Sequence, residues 1–335
     1  MRQPSGSDRG AKRAALAFAL VAAVSAVIAF NPAAASTRVR EKDLNLDIAR
    51  RVQARLLAAG VPVLMTRTSD KTVSLAQRTQ SANSHHVDIY VSIHNNGSTN
   101  HSAGGTEVYR QVKSSDSARL GGDLRAALAR SPGLPTSLHA RTGDHGDYYY
   151  VLRNTRMPAV IVEGAYVTNP SEARLLASAA FRQKLADSIA AGILAYQRSL
   201  VAQPLPATAT PTRVVLPALT APSGASGRAV NSRRVSLSWD LNPAALGYDV
   251  YRNGTLIGSM KTPILSGLSS PGRITFTDVW AAPGQRYRYE IAQSVSTASA
   301  ALESRPARVT VRTPPIYVAL DPGHGGADPG ASGSY

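Results

Sequence analysis

The sequence predicts an α/β domain, with a mostly parallel sheet and flanking helices, joined to a small all-β sandwich. Two observations indicate this fold class. From residue 44 to 200, segments with helical periodicity alternate with short apolar strands, as in proteins whose parallel strands are connected by helices. From 223 to 313, short strands alternate with turn residues. With 335 residues, 43% of them apolar, the chain can form two cores.

The elements of the α/β unit follow from local patterns. Apolar residues spaced four apart from Leu44 predict a first helix that ends at Gly60. Ser74 and Gln77 predict a capping box at the start of a second helix, which runs through Asn83. Further helices are expected at about 115–130 and around 189–196, and strands at 61–66, 88–93, 105–110, 148–152 and 159–162.

Residues 201–222 are dominated by Pro, Ala and Thr and show no periodicity, so we predict a linker. The strands beyond it are expected at 234–239, 247–252, 255–259, 273–277, 287–293 and 307–312. Asn253 and Gly254 form a turn pair typical of a two-residue hairpin. The segment 223–313 resembles a fibronectin type III domain, with Trp239 as its core tryptophan.

Residues 1–35 have the pattern of an export signal. Four basic residues precede the 17-residue apolar run 14–30, and small residues follow it, which predicts cleavage after Ala35. The alternative is an uncleaved membrane anchor, but the run lies at the lower limit of a spanning helix. We therefore expect a secreted protein, located in the cell wall or periplasm, with no permanent membrane span.

The chain is strongly basic. Its net charge is +16, and it falls to +13 without residues 1–35, which carry four basic and one acidic side chain. For an exported protein this charge indicates anionic wall polymers or phospholipid headgroups as partners rather than nucleic acid, although it is also compatible with a merely soluble surface. Because the chain has no cysteine, disulfides and thiolate metal ligands are excluded, and any metal site must use histidines and carboxylates.

Two histidines and a glutamate lie in short motifs far apart in the chain. His324 follows the apolar strand at 316–320 in a turn rich in glycine and proline, and His94 ends the strand at 88–93. Glu41 opens the first helix. Two imidazoles and one carboxylate, with a fourth position left for water, are the ligands of a hydrolytic rather than a structural zinc site.

These motifs, over about 160 residues of the body and the 20-residue tail, resemble those of the zinc-dependent N-acetylmuramoyl-L-alanine amidases, which cut peptide stems from peptidoglycan. In that family the strand with Asp-Pro-Gly-His-Gly-Gly comes first, whereas here it lies at residues 316–335, after the amidase body at 36–200. The chain therefore reads as a circular permutation of the family, with its first strand supplied by the C-terminus.

The resemblance implies functional residues. His324, Glu41 and His94 would bind Zn²⁺. Glu163, at the end of a buried strand, matches the catalytic glutamate, which would take a proton from water and pass it to the leaving L-alanine nitrogen.

Other residues have weaker support. Arg153, Arg141 and Asn95 are candidate substrate-binding residues, although a solvated face explains the two arginines equally well. Arg67, Asp70 and Arg78 are expected to hold loops through ion pairs.

Alternatives stay open at this stage. The linker spans on the order of 60 Å, which lets the tail return to its own sheet. The short joint at 313–315 leaves exchange of tails between two molecules as an alternative, so the protein is expected to be a monomer or a tail-swapped dimer. The rival function is a catalytically inactive protein that only binds peptidoglycan and the cell wall. The permuted order is either natural or an artefact of gene assembly.

Overall fold

The computed structural model describes residues 38–144, 146–201, 212–261, 272–295 and 301–335. The predicted export signal at 1–35 lies outside these ranges, as do residues 202–211 of the predicted linker. Among the helices in the described ranges, none is both long and apolar enough to cross a membrane.

The described chain forms an α/β unit, a β unit and a C-terminal tail. The α/β unit contains β1 (Arg38–Arg40), α1 (Glu41–Ala58), β2 (Val63–Met65), α2 (Leu75–Ser84), β3 (Ile89–Asn96), β4 (Thr106–Arg110), α3 (Ser115–Arg130), β5 (Thr136–His139), β6 (Thr142–Gly143), β7 (Gly146–Asp147), α4 (Tyr150–Asn154), β8 (Ala159–Tyr166), α5 (Pro170–Ala177) and α6 (Ala179–Val201). The β unit contains β9 (Arg213–Val215), β10 (Ser226–Asn231), β11 (Arg234–Asp240), β12 (Gly247–Arg252), β13 (Thr255–Lys261), β14 (Arg273–Asp278), β15 (Arg286–Gln293), β16 (Ala301–Glu303) and β17 (Ala307–Arg312). The tail contains β18 (Val318–Pro322) and β19 (Ser332–Ser334).

The central sheet of the α/β unit has six strands in the order β2-β18-β3-β8-β4-β5. Every neighbouring pair is parallel except β4 and β8, which are antiparallel. The sheet is therefore mixed, with mainly parallel pairs. Its carboxyl edge, where most of the strands end, is the edge at which ligand sites of such sheets form.

Helices cover both faces of this sheet because alternate residues of each strand point to opposite sides. Val318 and Leu320 of β18 belong to the hydrophobic core formed with α1, α3 and α6. Ala319, between them, packs in a second cluster with Val151 and Leu152 of α4. The tail strand is thus buried on both faces, as expected for an interior strand of a parallel sheet.

The tail occupies the interior of its own chain's sheet. β18 pairs with β2 on one side, with Val318 opposite Val63, and with β3 on the other, with Val318 opposite Ile89. Near the end of the tail, β19 forms an antiparallel ribbon with β1, with Ser334 opposite Arg38. Both ends of the tail are therefore tied to the α/β unit by backbone pairing.

The β unit contains two larger antiparallel sheets, β10-β11-β14 and β13-β12-β15-β17. One hydrophobic cluster joins them and includes the fully buried Trp239 of β11 together with Tyr248 and Tyr289 of the other sheet. Two sheets that share one core are the arrangement of a β-sandwich. The likeness to a fibronectin type III domain stays a prediction.

The hairpin between β10 and β11 contacts the α/β unit. Ser232 Oγ donates a hydrogen bond to the Asp88 carboxylate, and Arg233 forms an ion pair of 2.8 Å with Asp116. Asp88 also accepts the backbone N–H of Tyr317 at 2.7 Å. The β unit therefore packs at the amino ends of β3 and β18, away from the carboxyl edge of the sheet.

The strand predicted at 148–152 is wrong, because the chain there forms the short helix α4. The Arg153 N–H donates to the Tyr149 carbonyl at 3.0 Å, which closes a helical turn. Val151 and Leu152 are both buried although they are adjacent, whereas a half-buried strand would bury only one of them. The sequence of a short apolar segment is compatible with both the helical and the strand periodicity.

Candidate metal centre

Three segments bring the two predicted histidines and the glutamate together at the carboxyl edge of the sheet. His324 follows β18, His94 lies near the end of β3, and Glu41 is the first residue of α1. His94 Nδ1 lies 2.9 Å from Glu41 Oε1, and His324 Nε2 lies 3.1 Å from Glu41 Oε2. One donor atom from each residue lies within 4.8 Å of the other two.

The Glu41 carboxylate is fixed by further hydrogen bonds. Its Oε1 accepts from Asn45 Nδ2 at 3.1 Å and from the backbone N–H of Asn95 at 3.3 Å. Its Oε2 accepts from the backbone N–H of Ala331 at 2.9 Å. Because Asn45 lies four residues after Glu41 on the same helix, it approaches the carboxylate from one turn further along. Sequence reasoning missed Asn45, although its helical spacing from Glu41 was visible.

Glycines allow the close approach of the tail to these side chains. A Cβ atom on Gly323 would lie 2.0 Å from His94 Cε1, and one on Gly330 would lie 2.5 Å from Glu41 Oε2. His324 itself has a φ of 57°, a left-handed conformation that is uncommon outside glycine. The backbone around His324 is therefore shaped to bring its imidazole next to Glu41.

Asp328 orients the His324 ring. Its Oδ2 lies 2.7 Å from His324 Nδ1, which leaves the opposite nitrogen, Nε2, directed at Glu41. A carboxylate that accepts from the second ring nitrogen is the usual support of a metal-bound histidine. Sequence reasoning missed this residue, although its position four residues after His324 was visible.

Charge within the group favours a cation. Burial would raise the pKa of Glu41, but hydrogen bonds to His324 and His94 outweigh burial and hold that pKa well below its usual range. Burial would lower the pKa of His94, yet the hydrogen bond to Glu41 and the charge of Glu163 raise it to about 9. The carboxylates of Glu41 and Glu163 therefore favour positive charge at this site.

Glu163 lies next to this group. It is the cross-strand partner of His94 on β3 and of Glu107 on β4. Its Oε2 atom is buried and has no hydrogen-bond partner within the described part of the chain. Burial raises the pKa of Glu163 to about 7, with the charges of Glu41 and Glu107 adding to this effect and that of His94 opposing it.

Glu107 was not identified from the sequence. Its carboxylate accepts from the hydroxyls of Tyr109 at 2.7 Å and Tyr166 at 2.9 Å, and from Asn96 Nδ2 at 3.1 Å. These donors satisfy Glu107, whereas no described residue donates to the buried Oε2 of its neighbour Glu163. The two glutamates thus lie directly opposite each other on neighbouring strands, but their carboxylates differ in the hydrogen bonds that they accept.

The loops around the group are held by buried basic residues. Arg78 forms an ion pair of 2.6 Å with Asp321, and Asp70 forms one of 2.8 Å with Lys42, so the prediction that these residues hold loops is confirmed. Arg67 differs, because its guanidinium donates to backbone carbonyl oxygens, among them that of Gly323 at 2.8 Å. It still fixes the turn that precedes His324.

The three candidate substrate-binding residues lie in different surroundings. Asn95 is buried, and its Nδ2 donates to Asn45 Oδ1 at 2.9 Å. The Arg141 guanidinium stacks over the exposed Tyr148 ring at 3.8 Å. Arg153 lines a groove of about 680 Å³ between α2 and α4. A role in substrate binding stays a prediction for all three.

The donor set fits a zinc ion by its chemistry. Imidazole is a borderline ligand that suits zinc, a carboxylate also coordinates zinc, and three protein ligands leave one position for water or substrate. The unpartnered Oε2 of Glu163 beside them is an acceptor that a water molecule in that position would satisfy. The arrangement can therefore support hydrolysis.

Comparisons with known proteins give a consistent result. Residues 29–195 match the family described as N-acetylmuramoyl-L-alanine amidase, a range that begins inside the predicted export signal. The amidase LytC of Bacillus subtilis (strain 168) is 35% identical over 163 residues, which cover 47% of this chain and 31% of LytC. The chain thus spans about a third of LytC.

A second relative is matched over most of its length. The amidase AmiA of Salmonella typhimurium is 30% identical over 198 residues, which cover 47% of this chain and 68% of AmiA. Among solved structures, the catalytic domain of the amidase CwlV from Bacillus (Paenibacillus) polymyxa var. colistinus is 31% identical. It matches with a TM-score of 0.44 over 47% of this chain and 85% of that domain.

Proposed function

The chain belongs to the N-acetylmuramoyl-L-alanine amidase family, and on this premise we propose that it is a secreted zinc-dependent hydrolase. Its reaction is cleavage of the amide bond between N-acetylmuramic acid and L-alanine in peptidoglycan. The observation that carries the proposal is the convergence of Glu41, His94 and His324, with donor atoms within 4.8 Å of one another, beside the buried carboxylate of Glu163.

Zinc is the metal that we propose for these ligands. Zinc bound there would polarise the scissile carbonyl group and acidify a water molecule. Glu41 contributes a carboxylate that three backbone or side-chain donors already hold in place. Asp328 holds the His324 ring so that Nε2, and not Nδ1, points into the group.

Glu163 is proposed as the group that moves the proton. Among the described residues no group donates to its Oε2, so this atom can accept a proton from the attacking water. Burial raises its pKa to about 7, which places it near the value at which one carboxyl group both accepts and donates at neutral pH. It then returns the proton to the L-alanine nitrogen as the C–N bond breaks.

We also propose that the chain is circularly permuted relative to its family. The tail strand β18 lies between β2 and β3, and β19 pairs with β1 so that Ser334 is opposite Arg38. A peptide bond from Tyr335 to Ser36 would turn this ribbon into a hairpin with a three-residue loop, a common loop length. The permuted order and the cis closure of the tail are supported by this pairing.

The test compares the full chain with Glu163→Gln. We expect both proteins to bind one zinc ion, measured by plasma mass spectrometry, and the variant to release stem peptides from purified walls about 10²- to 10⁴-fold more slowly. Asp240→Asn is the matched control, because it makes the same carboxylate-to-amide change at an exposed ion pair of the β unit. Its rate should equal that of the unaltered protein.

Two outcomes contradict the proposal. If the zinc-loaded protein releases no peptide bearing a new L-alanine amino terminus, the alternative of an inactive wall-binding protein is favoured. If Glu163→Gln cleaves as fast as the unaltered chain, Glu163 is not the proton acceptor.

A further inference from the structure

Three arginines lie on one exposed face of the four-stranded sheet in the β unit. Arg286 on β15 lies directly opposite Arg312 on β17, and Arg288 follows two residues along β15. Tyr287 and Val311, which alternate with them, point into the core. Because side chains alternate along a strand, the three arginines point outward together, and all three are exposed. We call Arg286, Arg288 and Arg312 the arginine face.

The arginine face lacks a counter-charge within the described residues. Among the described residues, no carboxylate forms an ion pair with Arg286, Arg288 or Arg312. Glu290 lies two residues after Arg288 on the same face. Its carboxylate already forms ion pairs with two other arginines, Arg213 at 2.8 Å and Arg308 at 3.1 Å. Like charges directly opposite each other destabilise a sheet, so the fold alone gives no reason for this arrangement.

The backbone beneath the face is well fixed. The Arg288 N–H donates to Asn253 Oδ1 at 2.9 Å, and the Arg288 carbonyl accepts the Asn253 N–H at 2.8 Å. Pairing of β15 with both β12 and β17 holds the strand on its two sides. The arginine stems therefore start from a rigid surface, which lowers the ordering cost of binding.

We propose that the arginine face binds a phosphodiester polymer, such as the anionic polymers attached to cell walls. Guanidinium groups pair with phosphate oxygens through two parallel hydrogen bonds. A single exposed ion pair adds little affinity. Three neighbouring cations therefore favour a ligand with repeated negative charges over a ligand with a single carboxylate. The net charge of +13 without residues 1–35 adds long-range attraction for the same ligand. This inference does not depend on the proposed amidase activity.

The experiment measures sedimentation of the full chain with purified walls before and after hydrofluoric acid removes their phosphodiester polymers. The test variant carries Arg286→Gln, Arg288→Gln and Arg312→Gln. The control variant carries Arg125→Gln, Arg130→Gln and Arg174→Gln, exposed arginines of the α/β unit, and loses the same charge. We expect about tenfold or more weaker binding of the test variant to complete walls, and near-normal binding of the control.

The salt dependence gives a second readout. Loss of three phosphate contacts should reduce the slope of log affinity against log salt concentration by about 2, by analogy with single-stranded polyanions. The thermal midpoint of the test variant should be unchanged or higher, because the repulsion between opposed arginines is removed.

The proposal is overturned by any of three results: equal binding of the test variant and the unaltered chain, equal losses in test and control variants, or undiminished binding to walls without phosphodiester polymers. The last result would indicate the glycan or its peptide stems as the ligand.

Discussion

Arg78 of α2 and Asp321 of β18 form a buried ion pair at the base of the metal centre. The two side chains are 4% and 1% exposed, and Arg78 Nη1 lies 2.6 Å from Asp321 Oδ1. Thr66 Oγ1 donates to the same oxygen at 2.5 Å, and Ser92 Oγ donates to the other at 2.7 Å. The carboxylate is thus fully satisfied only while the tail strand and Arg78 are both in place.

Removal of Arg78 should strongly destabilise the folded protein. In Arg78→Met the buried Asp321 carboxylate loses its partner, and we expect a loss of about 3–5 kcal/mol in the free energy of unfolding at pH 7. Urea unfolding followed by fluorescence measures it. The matched control is Arg55→Met, whose ion pair with Asp187 is exposed and should contribute at most about 1 kcal/mol. Equal effects of the two changes would contradict the role given to Arg78.

The pH dependence of this effect has a defined sign. Burial would raise the pKa of Asp321, but the charge of Arg78 and the hydrogen bonds outweigh burial and lower it below the usual value. A lowered folded-state pKa stabilises the protein above the unfolded pKa, about 3.9, and this contribution is lost as the pH falls through the folded pKa. The difference between the unaltered chain and Arg78→Met should therefore be larger at pH 7 than at pH 4.

At the scale of elements, the tail strand β18 joins two parts of the sheet. It pairs with β2 on one side and β3 on the other, so without it β2 has no neighbour in the sheet. Its apolar residues also fill the cores on both faces. The tail therefore supplies both a structural strand and, through the turn that follows, His324.

Deletion of residues 316–335 should remove the metal site and the fold of the α/β unit together. We expect no bound zinc and no cooperative unfolding of that unit, measured by plasma mass spectrometry and calorimetry. The complementary variant places residues 316–335 directly before Ser36 and ends at Val201, and it should bind one zinc ion. A deletion variant that stays folded with zinc bound would contradict the proposed permutation.

At the scale of the whole molecule, Asp88 links three parts of the chain. It precedes β3, accepts the N–H of Tyr317 ahead of β18, and accepts the hydroxyl of Ser232 in the β unit. Arg233 adds an ion pair with Asp116. The β unit is thus tied to the entry point of the tail, at the sheet edge opposite the metal centre.

This contact should couple unfolding of the two units. The double variant Ser232→Ala, Arg233→Gln removes a hydrogen bond and an ion pair from this contact. We expect the coupling free energy between the two units to fall by about 1–3 kcal/mol. Calorimetry should show the transitions of the two units further apart than in the unaltered chain. Arg234→Gln, at the neighbouring exposed position, is the control. An unchanged profile for the double variant would mean that the units unfold independently.

Elements with a local cause could be predicted from the amino-acid sequence. The capping box of Ser74 and Gln77 is present at α2, α3 has the predicted bounds, and the Asn253-Gly254 turn joins β12 to β13. Each depends on residues a few positions apart, so a single segment carries the whole signal. The motifs around Glu41, His94 and His324 were readable for the same reason.

Features that depend on contacts between distant segments could not be predicted and became visible in the folded structure. The position of β18 between β2 and β3 and the support of His324 by Asp328 follow from how the folded chain packs. The same is true of the buried Oε2 of Glu163, to which none of the described residues donates. The helix at Tyr150–Asn154, wrongly predicted as a strand, was also set by burial against the sheet. Local sequence patterns specify the periodicity of helices and strands and the positions of turns. The burial and hydrogen bonding of a side chain, and the pairing of its strand, depend on which remote segment packs beside it.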